Sequence, residues 1–313
     1  QAAHPDIRTY AGSSITEGYP ASIRMDMTPS GFHASVRSGE TSWYVDPVYL
    51  DDTSLYASYF GASLPREERL PDEVLDHDGE PLVEGVPHGD SGRVAVPRAG
   101  DGPNEEVVQR FYRLALVTDA SYAEFFAPGL NVNPLDLAES NAKVFAAKTT
   151  LMNRVNQIYN DDFSIRMLLV DGNDALNFNT TAQFLGADGR CGNQACYSSP
   201  SDIGCGDVID TNRLVVGQII GADKYDIGHI MFGPDGDGGG VAYLGAVGTT
   251  VKAGGCTGLN PPTGDGFAVD YVAHEMGHQF SGNHTFNGTT GSCSAGNRNG
   301  GTSVEPGSGT SVM

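Results

Sequence analysis

Residues 273–284 read AHEMGHQFSGNH and place two histidines four positions apart, with a glutamate directly after the first. On a helix, His274 and His278 lie one turn apart on the same face, so both imidazoles can bind one metal ion. Glu275 then lies beside the metal without being a ligand, and its carboxylate can accept a proton from a water. The stretch therefore predicts a helical zinc site in which Glu275 is the general base.

A third histidine follows six positions after the second. His284 can reach the same ion only if the helix ends and the chain turns back, and Gly282 and Asn283 are residue types that favour such a turn. Three imidazoles leave one position of a tetrahedral zinc open, which is typical of a catalytic site. The alternative is a surface helix with solvated histidines, but three of the chain's eight histidines within so short a stretch argue against it.

The stretch resembles the metzincin signature HExxHxxGxxH, and it is most similar to the reprolysin-like (adamalysin-type) peptidases of secreted bacterial proteins. The ligand spacing is intact, but Ser281 stands where that family has glycine, and a glycine follows one position later. The resemblance continues through 285–288, 297–299 and 305–313. It implies that Met313 forms the Met-turn, in which a thioether packs beneath the zinc-binding histidines. Family members continue into the wall of the S1′ pocket, so we expect a catalytic domain truncated at the Met-turn.

The implied fold is an α/β (α+β) metzincin-type catalytic domain over residues 104–313, with a mixed twisted sheet packed on the active-site helix. The hydrophobic pattern agrees with this fold. It predicts strands at 111–117, 163–170 and 227–232, and helices at 138–159, 210–220 and 267–280. Asp265 is the predicted N-cap of the last helix. The Lys148 stem is expected to lie along the apolar stripe of the first helix, and His229 is expected to be a hydrogen-bonded core residue rather than a ligand.

The segment after the third strand is expected to border the cleft. It comprises Gly240, Val241, Ala242, Tyr243 and Leu244. In metzincins the strand at this place is a sheet edge, to which an extended substrate adds antiparallel, and glycines allow a second chain to approach closely. The alternative is an ordinary loop and buried strand. The preceding acidic turn, 234–238, is a weak candidate for Ca²⁺, with a solvated turn as the alternative because the full EF-hand pattern is missing.

Residues 1–103 predict a smaller β-rich N-terminal domain that ends in a linker at 98–104. Alternating patterns indicate a hairpin from 21–27 and 32–36 and a further strand at 42–50, with Trp43 as a core anchor. This part resembles the propeptide-like segment of bacterial reprolysin-like precursors, which implies a zymogen. Residues 1–190 contain no cysteine, so a cysteine switch is excluded, and a carboxylate or histidine from this domain is a hypothetical blocker of the open zinc position. The alternative is an accessory domain that only packs alongside.

The composition indicates a globular secreted protein. The net charge is −21, from 39 acidic and 18 basic residues, which disfavours nucleic acid and anionic membranes as partners. No cysteine lies in a CxxC pair, so disulfides of an exported protein are the expectation. The five cysteines are Cys191, Cys196, Cys205, Cys256 and Cys293. Their odd number predicts that one partner lies beyond residue 313, and the N-terminal sequence QAAH resembles a start left by signal removal.

Together these features predict a secreted, extracellular zinc endopeptidase that acts on proteins or peptides. Zinc would lower the pKa of its water toward about 7 and polarise the scissile carbonyl, while Glu275 moves the proton to the leaving amine. One alternative takes Glu305 as the third ligand, as in gluzincins. Another is a latent or catalytically silent zinc-binding module, held inactive by the N-terminal domain or by the missing S1′ wall.

Overall fold

The computed structural model describes residues 4–39, 41–64, 72–75, 107–131, 137–198, 204–234, 238–290, 293, 297–305 and 311–313. The predicted linker at 98–104 and the central residues of the acidic turn at 234–238 lie outside these ranges. The domain boundary at residue 103 and the calcium site therefore stay predictions. No helix in the described ranges combines the length and the apolar character needed to cross a bilayer.

The first part of the chain forms a five-stranded antiparallel sheet, in which each strand pairs with the next in sequence. The predicted hairpin and the strand after it are confirmed, and two further strands flank them. The strands are β1 (Arg8–Ser13), β2 (Ser22–Thr28), β3 (Gly31–Ser38), β4 (Thr41–Tyr49) and β5 (Asp52–Phe60). A short 3-10 turn, Gly61–Ser63, follows β5.

The second sheet is mixed and six-stranded and is covered by helices, as the alternation of strands and helices predicted. The strands are β6 (Asp72–Leu75), β7 (Arg110–Thr118), β8 (Ile165–Leu169), β9 (Ile227–Phe232), β10 (Gly239–Tyr243) and β11 (Gly255–Gly258). Their spatial order is β6-β10-β11-β9-β7-β8, and β10 is antiparallel to β11 whereas the other pairs are parallel.

The helices cover this sheet on both faces. They are α1 (Ala120–Phe126), α2 (Leu137–Phe163), α3 (Thr181–Phe184), α4 (Cys205–Val216) and α5 (His274–Gln279). A π-helical segment, Gly266–Ala273, runs directly into α5, and we call the two together the active-site helix. The two hydrophobic cores lie on either side of the sheet, one around α4 and one between α2 and the active-site helix.

The Lys148 side chain lies in the apolar stripe of α2, as predicted, but its amine is also buried. Nζ donates hydrogen bonds to the Leu116 carbonyl oxygen in β7 (2.6 Å) and to the Asn177 side chain. Burial holds the pKa of this amine well below its ordinary value. The lysine therefore joins α2 to the sheet rather than extending its amine to solvent.

The N-terminal sheet packs a polar face against α2. The contacts are side-chain hydrogen bonds and ion pairs: Thr150 Oγ1 to Asp26 Oδ2 (2.7 Å), Asn153 Nδ2 to Asp26 Oδ1 (3.1 Å), Arg154 Nη2 to Asp46 Oδ1 (2.5 Å) and Arg37 Nη2 to Asp162 Oδ2 (3.2 Å). Directional polar contacts thus hold this face of the sheet on α2.

The prediction that Trp43 anchors a core is wrong. Trp43 is only partly buried, whereas the neighbouring Tyr44 faces α2 and is 5% exposed, with the Arg154 guanidinium 5.2 Å from its ring centre. Cross-strand pairing places Trp43 between Val36 and Phe60 on the opposite face. Because side chains alternate between the faces of a strand, the apolar face of this sheet points away from α2.

The active-site helix begins earlier than predicted, and Asp265 is not its N-cap. The backbone is helical from residue 264, and the Asp265 side chain makes no capping hydrogen bond. Its carboxylate instead lies 3.5 Å from Nη1 of the buried Arg154, which also pairs with Asp46. Burial raises the pKa of Asp265 to about 6. Asp265 is therefore a counter-charge for Arg154 in the contact with the N-terminal sheet.

His229 is a hydrogen-bonded core residue, as predicted, and it ties β9 to the active-site helix. Its Nδ1 lies 3.1 Å from Oε1 of Gln279 and its Nε2 lies 2.9 Å from Oγ1 of Thr257. Gln279 also donates from Nε2 to the Gly228 carbonyl oxygen (2.8 Å). Complete burial lowers the pKa of His229 to about 4, so the imidazole is neutral near pH 7.

The active-site helix ends in a Schellman motif, and the turn differs from the one predicted. The Gly282 amide donates to the Gly277 carbonyl (2.8 Å) and the Ser281 amide donates to the His278 carbonyl (2.8 Å). The left-handed residue is Ser281, at φ +76°, rather than Gly282 or Asn283. Ser281 thus occupies the glycine position of the motif and adopts the conformation that glycine adopts more easily.

We expect the Ser281→Gly variant to be more stable than the wild type by about 0.5 to 1 kcal/mol. Glycine removes the left-handed strain of about 1–2 kcal/mol, while its greater freedom in the unfolded chain offsets about 0.5–1 kcal/mol. Denaturant unfolding measures the difference. The control is Ser63→Gly, at an exposed position without positive φ, which should lower the stability. A loss of stability in both variants would contradict the strain at Ser281.

Acid should destabilise the protein through His229. Its folded pKa of about 4 lies below the unfolded value, so the unfolded chain takes up the proton first as the pH falls. The contribution is complete above about pH 6.5 and is lost toward pH 4, with about 2 kcal/mol lost between pH 7 and pH 5. The His229→Asn variant should lack this loss. Denaturant unfolding of both proteins at the two pH values tests this, and an equal loss of unfolding free energy in both would refute it.

Candidate metal centre

Three buried histidine rings converge at the end of the active-site helix. His274 and His278 come from successive turns of α5, and the Schellman turn brings His284 back to them. The Nε2 atom of His274 lies 3.0 Å from that of His278 and 3.2 Å from that of His284. In the described part of the chain, these three form the one group of three or more His, Cys, Asp or Glu side chains arranged to hold a metal.

The hydrogen bonds on the far side of each ring define its tautomer. In all three rings Nδ1 faces a backbone carbonyl oxygen, which can only accept, so Nδ1 carries the proton and the neutral ring leaves a lone pair on Nε2. The pairs are His274 with Val312 (2.5 Å), His278 with Gly282 (2.8 Å) and His284 with Asn297 (2.5 Å). Three lone pairs therefore point at one place, which favours a cation there.

The donor set fits zinc. Nitrogens bound at about 2.0–2.1 Å with tetrahedral angles lie about 3.3 Å apart, close to the observed separations. A set of three imidazoles is typical of catalytic zinc, since structural sites are closed by four protein ligands. Glu305, the alternative third ligand, does not belong to this group. Its carboxylate instead accepts a hydrogen bond from the Asn287 amide (2.7 Å).

Glu275 is completely buried next to the first histidine, and β10 passes over its carboxylate. A Cβ added to Gly240 would lie 2.0 Å from Oε1 of Glu275, so no side chain fits between the strand and the carboxylate. The glycine in β10 thus brings a strand backbone directly beside the predicted general base. This close approach is a reason for glycine at position 240 that the sequence did not reveal.

Met313 lies against the middle of α5, where the resemblance placed it. A Cβ added to Gly277 would lie 2.5 Å from the Met313 sulfur, and one added to Gly282 would lie 3.3 Å from its methyl carbon. The neighbouring Val312 supplies the carbonyl that holds His274. Residues 312–313 therefore contact the active-site helix both through the thioether, at its glycines, and through the Val312 carbonyl, at His274.

The predicted substrate strand has the expected position but not the expected neighbour. Gly240–Tyr243 belong to β10, Gly240 borders Glu275, and Leu244 follows the strand. The prediction that this strand is the sheet edge is wrong, because β6 pairs with its outer side. The sequence of β6 shows no signal for this partner, since parallel pairing over so few residues depends on tertiary structure.

Two disulfides form, as expected for the cysteine pattern. They join Cys191 to Cys196 and Cys205 to Cys256, and the second connects the start of α4 with β11. Cys293 has a free thiol. The sequence left the pairing open because many connectivities were possible.

Several residues that shape the site were not predicted. The carbonyl oxygens of Gly282, Asn297 and Val312 orient the histidines, and backbone atoms leave no signal in a sequence. Tyr159 of α2 donates its hydroxyl to the Ala273 carbonyl (2.8 Å) just before the first histidine. Tyrosine in an apolar helix stripe is common, so this contact also had no distinctive pattern.

No curated protein matches this chain. The sequence model of the metallopeptidase family M12B, reprolysin-like, matches residues 141–313, which is more than half of the chain and contains all three histidines and Glu275. The match and the histidine cluster agree with a metallopeptidase that binds a metal through imidazoles. This chain belongs to the reprolysin-like M12B family of metallopeptidases.

Proposed function

We propose that this chain is the catalytic part of a secreted zinc-dependent endopeptidase. The observation that best supports this is the convergence of three Nε2 lone pairs beside the buried carboxylate of Glu275. Family membership supports peptide-bond hydrolysis and therefore protein or peptide substrates. The two disulfides support an oxidising, extracellular location.

His274, His278 and His284 would hold the ion through Nε2. When bound, zinc supplies a Lewis acid that activates water and polarises a carbonyl. Glu275 accepts a proton from the attacking water at a carboxylate oxygen and returns it to the amine of the leaving group. The carbonyls behind the rings keep each Nδ1 protonated and each Nε2 available.

Met313 acts as a support that does not contact the substrate. Its thioether fills the space that Gly277 leaves in α5, and this packing holds the helix in position. Asp265 and Arg154 connect the start of the active-site helix to the N-terminal sheet. We place the boundary of this N-terminal domain near residue 103 and assign it the role of a propeptide.

A second candidate function is a latent zinc-binding module. The pairing of β6 with β10 favours it, because an extended substrate would need the same edge of β10. A latent form and an endopeptidase are compatible if the N-terminal strand can leave.

Replacement of Glu275 by alanine should slow the chemistry and spare the metal. We expect kcat to fall by about 10²- to 10⁴-fold, the usual contribution of a general base. Turnover of an extended peptide and the zinc content of the variant are the measurements. The Asp270→Asn variant, changed at an exposed position of the same helix, should keep its activity. Normal turnover by a zinc-loaded Glu275→Ala protein would exclude this role.

Zinc should stabilise the fold through the three histidines. Free zinc at 1,000 times its Kd should raise the free energy of unfolding by about 4 kcal/mol over the chelated protein. Thermal unfolding with chelator and with added zinc measures this. The His278→Gln variant should lose the response. The control His4→Gln, at a histidine that pairs with Asp174 instead, should retain it. An equal response of both variants would place the metal elsewhere.

A further inference from the structure

A cavity lies between the edge strands of the two sheets, beside the face of α2 that carries Phe145 and Met152. Its volume is about 300 Å³, and it is bordered by β1 of the N-terminal sheet and by β8 of the catalytic sheet. Among the described residues, those of the candidate metal centre do not line it. The volume lies at the lower end of the range of small-molecule sites, so the cavity can hold a small organic ligand.

Two arginines from different parts of the chain border this cavity. Arg24 belongs to β2 and lies on the same face as Asp26, which contacts α2, whereas Arg166 is exposed in β8 at the rim. Burial lowers the pKa of Arg24, the charge of Asp161 offsets part of this effect, and the like charge of Arg166 adds to it. Two cations are thus held close together at one cavity.

The carboxylate nearest to these arginines in charge effect is committed to other groups. Asp161 accepts a hydrogen bond from the Ser22 hydroxyl and lies 3.7 Å from Nη1 of Arg37. Within the described ranges, neither Arg24 nor Arg166 forms an ion pair, and Arg24 donates to the adjacent Ile23 carbonyl oxygen at 3.3 Å. In a chain with 39 acidic and 18 basic residues, two arginines without a carboxylate partner indicate a counter-ion that comes from outside.

The edge of β8 adds a backbone donor beside the arginines. Asn156 of α2 binds both the amide (2.7 Å) and the carbonyl oxygen (2.8 Å) of Met167, so the odd-numbered residues of β8 point away from β7. By this alternation the Leu169 amide points to the same open edge, and Leu169 lines the cavity. Hydrogen-bond donors therefore lie next to the apolar surface of Phe145 and Met152.

We propose that this cavity binds a small organic carboxylate, whose oxygens accept hydrogen bonds from Arg24 and Arg166 and whose apolar part packs on α2. Guanidinium groups bind planar carboxylates through strong, charge-assisted hydrogen bonds. Because Asp161 balances part of the charge of Arg24, a singly charged ligand fits better than a doubly charged phosphate. The inference goes beyond the proposed peptidase function and does not depend on it.

Calorimetric titration of the full, zinc-loaded chain with two carboxylates tests the proposal. Hexanoate represents a free organic acid, and acetyl-alanyl-leucine represents the C-terminus of a peptide, so the tighter of the two identifies the source. The amide of the same peptide lacks the carboxylate and should not bind. We expect the Arg24→Gln and Arg166→Gln variants to bind the acid about 10- to 100-fold more weakly, because each loses a charge-assisted hydrogen bond. The matched control is Arg8→Gln, at an exposed arginine of β1 outside the cavity, which should bind as the wild type does.

Two further measurements separate ligand binding from a structural role of Arg24. The acid should slow hydrogen exchange of the segment 165–169 in the wild type and in Arg8→Gln but not in Arg24→Gln. Without ligand, Arg24→Gln should be as stable to denaturant as Arg8→Gln, since no ion pair is lost. A clearly lower stability of Arg24→Gln would assign this arginine to the fold and overturn the proposal. Equal binding in all four proteins would place the ligand elsewhere, such as on the zinc, and absence of binding by either acid would also overturn the site.

Discussion

Three imidazole lone pairs that point at one another repel unless a cation lies between them, and the site depends on how the chain enforces this arrangement. Each Nδ1 is held by a backbone carbonyl, so no ring can turn its protonated nitrogen inward without losing a hydrogen bond. The carbonyls come from Gly282, Asn297 and Val312. The site therefore exists only when the helix, the turn after it and the last residues are folded together.

Polar contacts and glycines fix the position of the active-site helix. Gln279 connects its end to His229 in β9, and the Tyr159 hydroxyl meets the Ala273 carbonyl before the first ligand. Gly240 and Gly277 allow β10 and Met313 to approach the helix at distances that a Cβ would prevent. The strand β10 thus approaches the helix closely enough to bury Glu275 completely, and its carboxylate interacts strongly with nearby charge in such an environment.

The N-terminal sheet is built with its polarity reversed relative to a usual half-buried sheet. Its polar face contacts α2 and its apolar face, with Trp43 beside Val36 and Phe60, points away from the helix. Interfaces between domains of one chain are commonly rich in polar contacts of this kind.

Local pattern in the sequence predicted the histidine cluster with its adjacent glutamate, the long helices and the period-two strands, because spacing along a helix or strand depends only on near neighbours. It could not determine which face of the N-terminal sheet is inward, so the strand of Trp43 was predicted but its core role was wrong. It also did not predict the left-handed backbone of Ser281 or the pairing of β10 with β6. The ion pair of Asp265 with Arg154, formed where an N-cap was predicted, was missed as well. These features were decided by tertiary structure, since each one depends on a contact between segments far apart in the chain.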